Sequence, residues 1–69
     1  MKQNVANWIV IHMAHEEQSA QKVCELLTRE GFLVQYRSLA SSTGEPLFEV
    51  CALSSEAKEA RSVLIEMGY

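Results

Sequence analysis

The spacing of the apolar residues runs from every second residue to helical, back to every second residue, and then to helical again. No other feature of the sequence constrains the fold as strongly. The first segment, Asn7 to Met13, reads NWIVIHM. It is β-branched and aromatic and too short for an independent helix, so it is expected as a strand. Strict alternation would place Ile9, Ile11 and Met13 on one face and Trp8, Val10 and His12 on the other. Between His15 and Glu30 the period becomes helical. Ala20, Val23, Cys24 and Leu27 fall at i, i+3, i+4 and i+7 and make one apolar stripe. Glu16 and Glu17 suit the positive end of the helix dipole and Arg29 the negative end. Glu25 and Arg29 are spaced as an i, i+4 pair. Gly31 stands where a left-handed C-terminal cap is expected.

Alternation returns in Phe32 to Leu39 and again in Leu47 to Leu53, with the turn-forming run Ala40 to Pro46 between them. The two segments are expected to form a hairpin. Phe32, Val34 and Tyr36 would share a face with Phe48, Val50 and Ala52, opposite Leu33, Gln35, Arg37, Glu49 and Cys51. Ser54 or Ser55 is positioned to cap a second helix ending near Met67, with stripe residues Ala57, Ala60, Leu64 and Met67 and with Gly68 after it. The order β-α-β-β-α matches a split β-α-β, ferredoxin-like arrangement without its fourth strand. The expected fold is therefore α+β and two-layered, a three-stranded antiparallel sheet with its third strand in the middle. Right-handed crossovers would put both helices on one face. The outer edge of the first strand would then be free, with neither Pro nor Lys to blunt pairing.

Length limits the rest. Sixty-nine residues make one domain, 1–69, with residues 1–6 expected to be flexible. A core of this size supplies only about 3–5 kcal/mol net, so a chain like this commonly leans on a staple or on a partner subunit. Two cysteines are a thin basis for a disulfide scaffold, and self-association is the expected support. Six Lys and Arg against nine Glu leave a formal charge of −3, which argues against nucleic acid and anionic membrane as partners. The chain holds no Asp, which weakens calcium-loop and Asp-based magnesium readings. No apolar run approaches the ~18 residues that span a bilayer. A cytoplasmic location is expected.

Three stretches resemble a known family. They are Trp8-Ile9-Val10-Ile11; Ala20-x-x-Val23-x-x-Leu26-Leu27-x-x-Glu30-Gly31-Phe32; and Val50 ahead of Glu56-Ala57-x-x-Ala60. Together they are similar to the prokaryotic signal-transducing protein family, whose members are short β-α-β-β-α chains. The likeness runs from about Asn7 to Met67. It implies a nitrogen-regulator-like, ferredoxin-like fold and a bacterial signalling role, and it supplies no catalytic residue. Firmicute relatives carry the label glutamate decarboxylase, which this sequence does not support. That reaction needs a pyridoxal phosphate lysine in a large dry pocket. Of the three lysines, Lys2 is near the terminus and Lys22 and Lys58 fall on polar helix faces.

The remaining motifs point to binding rather than catalysis. His12 and His15 lack a third ligand on the same side, and no metal or cofactor is expected. Cys51 and His12 would be the only pair capable of thiol chemistry, with no third group beside them. The run Ser41, Ser42, Thr43 and Gly44 offers hydroxyls and backbone N–H groups to a small ligand or nucleotide, but without the lysine and helix of a phosphate loop. The expected interaction surface is the sheet face opposite the helices, made of Trp8, Val10, His12, Leu33, Gln35, Arg37, Glu49 and Cys51, together with the free edge of the first strand. A non-enzymatic regulatory or protein-interaction module, homodimeric in the sense that a small core invites, is the reading these residues support. Ligand sensing of the nitrogen-regulator type is the alternative.

Overall fold

A computed structural model describes residues 7–39 and 42–69 of the chain. The elements follow the expected order: β1 (Trp8–Ala14), α1 (Glu17–Arg29), β2 (Val34–Leu39), β3 (Leu47–Leu53) and α2 (Ala57–Glu66). The three strands form one antiparallel sheet in the order β1-β3-β2. The fold is α+β, with an open sheet. Residues 1–6, expected to be flexible, lie outside the described residues, as do Ala40 and Ser41.

The core lies between the helices and one face of the sheet. Ala20, Val23 and Leu27 of α1 meet Val50 and Ala52 of β3, and all five are fully buried. Phe32, Val34, Tyr36 and Phe48 pack around them. The α2 contribution is smaller in volume: Ala57, Ala60 and Leu64, with Val63 half-buried beside them. Helix α1 lies over β2 and β3, and α2 over β1 and β3. The radius of gyration, 12.7 Å, exceeds the about 11 Å expected of a compact domain of this length.

Both helices stop in the same way. Gly31 (φ 97°) and Gly68 (φ 95°) adopt the left-handed conformation. Phe32 N–H donates to the Leu27 carbonyl and Gly31 N–H to that of Thr28, each at 3.0 Å. Tyr69 N–H donates to Leu64 and Gly68 N–H to Ile65, also at 3.0 Å. This paired 6→1 and 5→2 pattern is the Schellman motif, and a glycine adopts its positive φ without a Cβ penalty.

Four expectations need correction. Strand β2 begins at Val34 rather than Phe32, because the cap on α1 consumes Gly31 and Phe32. The N-cap of α2 is Glu56, with no side-chain cap bond, rather than Ser54 or Ser55. Residues 54–56 form a turn in which Glu56 N–H reaches the Leu53 carbonyl at 2.8 Å, and Ser54 N–H is taken by the Asn7 carbonyl at 2.8 Å. Glu25 and Arg29 form no ion pair; the pair that does form among the described residues is Arg37–Glu49. The fourth correction concerns the register of β1. Ile9 stands opposite Ala52 and Val10 opposite Cys51, but His12, not Ile11, is opposite Val50. Ile11 is therefore the extra residue of a β-bulge, and it inverts the alternation of everything after it.

Candidate interaction surface

The uncovered face of the sheet is set by β3. Phe48, Val50 and Ala52 point to the helices, so Leu47, Glu49, Cys51 and Leu53 point away from them. The β2 ladder is regular and carries Gln35 opposite Cys51 and Arg37 opposite Glu49. The β1 ladder brings Trp8 opposite Leu53 and Val10 opposite Cys51. Six of the eight expected surface residues thus sit together: Trp8, Val10, Gln35, Arg37, Glu49 and Cys51.

His12 does not. The bulge at Ile11 moves it to the helix face, opposite Val50, where its ring meets the Tyr69 ring edge-on with centroids 5.6 Å apart. Met13 takes the place expected of His12, opposite Glu49 on the uncovered face, and is 42% exposed. Leu33 lies just before β2 and is 57% exposed. Its backbone N–H is held by Glu56 Oε1 at 3.1 Å, which ties the start of β2 to the first turn of α2. Leu53 also belongs to this face. Its place follows from alternation with Cys51 and was legible in the sequence; Met13 was not, because nothing in WIVIHM announces a bulge.

Across the middle of the face runs one ion pair. Arg37 Nε donates to Glu49 Oε1 at 2.8 Å. The arginine side chain is 64% exposed and the glutamate 15%. The hydrogen bond that Arg37 donates to Glu49, and the charge of Glu49, raise the Arg37 pKa further above its ordinary value. Cys51 behaves differently. It is 2% exposed, and burial, with the Glu49 charge adding to it, pushes its thiol pKa up; Arg37 offsets part of this. The expected Cys51–His12 proximity does not occur, since the two residues face opposite sides of the sheet. Cys24 is half-buried on the helix side and its thiol is also raised, first by burial and then by Cys51. Both cysteines are free. A bond between them would have to pass through the sheet, which disulfide geometry does not permit.

The margins of the sheet differ from expectation on one side. Arg61 of α2 donates from Nη2 to the Val10 carbonyl at 3.2 Å. The first strand's outer edge is thus blunted by a bulge and by a cation from α2, although its own sequence holds neither Pro nor Lys. At the other margin, β2 is bound to α1 through Tyr36. The phenol accepts from Gln21 Nε2 and donates to Glu17 Oε2, each at 3.0 Å.

The hairpin loop, the alternative ligand site, is partly described. Ser41 lies outside the described residues, and Ser42, Thr43 and Gly44 are exposed. Beside them is a shallow cavity of about 180 Å³ lined by His15, Thr43, Glu45, Pro46 and Leu47. Among the described residues no three of His, Cys, Asp and Glu come together as a metal site would require. No helix among them is long and apolar enough to cross a membrane. No family model, curated protein or solved structure matches this chain.

Proposed function

We propose that this chain is a non-enzymatic interaction module of a regulatory or signalling kind, and that its sheet binds a second copy of itself. The observation that carries this reading is the uncovered face of the sheet. Trp8, Val10, Met13, Leu47 and Leu53 lie there around a single Arg37–Glu49 pair, and no described element packs over them. One cation beside one anion makes the patch self-complementary. A two-fold-related copy would therefore meet no net like charge. Strand spacing and rise give a face of roughly 14 by 23 Å, or about 300 Å² of flat footprint per copy. An interface built on that area falls at the low end of the size range and fits a weak, reversible dimer.

Sedimentation equilibrium from about 10 μM to 1 mM, read beside Trp8 fluorescence, tests the reading. The expected result is a mass rising from 7.8 kDa toward twice that value, and the Trp8 emission reports whether the contact reaches β1. A mass of 7.8 kDa at every concentration would overturn it.

A second reading has one observation in its favour. The cavity beside Thr43 has room for a small ion or acid. At about 180 Å³ it is smaller than the about 300–1,000 Å³ that drug-sized ligands occupy. A nucleotide therefore fits this reading poorly. Neither reading assigns a catalytic residue.

A further inference from the structure

We infer that β2 pairs antiparallel with β2 of a second copy, about a two-fold axis at Tyr36, so that two three-stranded sheets join into one of six strands. This rests on the self-association proposed above and assigns the contact to the β2 margin of the sheet.

The inference comes from what each margin of the sheet offers. An unpaired strand presents a row of backbone N–H and C=O groups, and folded proteins blunt such rows with bulges, charges, Pro or covering elements. β1 has two of these devices, the Ile11 bulge and Arg61 on the Val10 carbonyl. β2 has none. Its pairing with β3 runs without interruption from Val34 to Leu39, and it contains no Pro, Gly or Lys. Its one charge, Arg37, is already paired with Glu49 at 2.8 Å and therefore repels a second copy little.

The side chains of this strand also complement themselves. A two-fold axis at Tyr36 sets Val34 opposite the partner's Ser38 and Gln35 opposite the partner's Arg37. Leu33, 57% exposed in one copy, comes opposite the partner's Leu39. Leu33 thereby loses contact with water, the two arginines stand on a diagonal, and no like charges stand directly opposite each other. Backbone hydrogen bonds supply the affinity, and this palindrome of apolar ends around a polar centre supplies the register.

Amide hydrogen exchange at low and high protein concentration, read beside sedimentation, tests the geometry. Outward-facing amides of β2 should slow by about tenfold or more as the dimer fills, and β1 amides should not. The pairing of Gln35 with the partner's Arg37 adds a charge test. Gln35→Glu places a carboxylate opposite each arginine and should tighten the dimer about threefold or more. Gln35→Lys should weaken it by a similar factor. Both changes fall on an exposed side chain and leave the β2–β3 ladder in place. A doubled mass without β2 protection would overturn the edge pairing and leave self-association standing. Equal or reversed effects of the two substitutions would overturn the register. A monomer at all concentrations would overturn both.

Discussion

The two margins of the sheet are strands of similar length in the same antiparallel arrangement, yet they are finished differently. β1 is bulged at Ile11, gives its Val10 carbonyl to Arg61, and has the His12 ring against Tyr69. β2 is straight in register and is fastened to α1 on its helix side, where Tyr36 joins Glu17 and Gln21. The difference separates two problems that a small sheet has to solve. One edge is closed against strangers, and the other is left able to pair. The asymmetry continues into the core. The β2 side is packed with large side chains, Val23, Leu27, Phe32, Val34 and Tyr36, whereas the α2 stripe over β1 is Ala57, Ala60 and Leu64.

The largest expected effect tests that division of the core. Leu27→Ala empties a fully buried site enclosed by bulky neighbours, where collapse is limited, and should cost about 3–5 kcal/mol. Leu64→Ala removes the largest buried side chain of α2, whose alanines let the helix settle closer, and should cost about 2–3 kcal/mol. Urea denaturation of both variants measures the order. If Leu64→Ala proved the more damaging, the picture of a thin α2–β1 half would be wrong.

These two halves were not equally legible in the sequence. On the α1–β2 side each local signal agrees with the others. The stripe Ala20, Val23, Leu27, the Gly31 cap and the alternation of Val34, Tyr36 and Phe48 all give the same answer, and the fold class and strand order follow from them. On the β1 side alternation misleads. One additional residue at Ile11 turns His12 inward and Met13 outward, and no residue type in that segment requires a bulge. The edge could be judged from the sequence only by its own residues. Its blocker, Arg61, is 51 positions away from Val10 and reaches it only after the chain has folded. Ser54 and Ser55 looked like caps because their residue type suits the role, but their turn is occupied in joining Leu53 and Asn7.

A smaller effect probes how β2 is held flat. Tyr36→Phe removes the hydroxyl that accepts from Gln21 and donates to Glu17, while the ring keeps its place edge-on to Phe48 at 6.4 Å. The cost should be about 0.5–1.5 kcal/mol, and nearer the lower figure because these bonds are exposed to water. Thermal unfolding would read it as a drop of a few degrees, roughly 4–8 °C per kcal/mol for a domain of this size. No change at all would mean that the bond network does not hold β2 to α1.

The smallest effect on stability is expected from the residue that matters most to the contrast between the margins. Arg61→Ala removes one exposed hydrogen bond to the Val10 carbonyl and should change stability by less than about 0.5 kcal/mol. Its effect on assembly should be larger. Pairing at β2 alone uses one edge of each copy and closes at two, because an isologous contact satisfies itself. A second usable edge removes that closure, since each dimer then offers a β1 margin at both ends of its sheet. The Arg61→Ala chain should therefore form species heavier than a dimer at concentrations where the parent chain stops at two, visible by light scattering. The Ile11 bulge remains in this variant and should keep the heavier species a minority. If the masses of the two chains coincide across the whole range, Arg61 is not a guard on the edge, and the bulge alone accounts for the difference between β1 and β2.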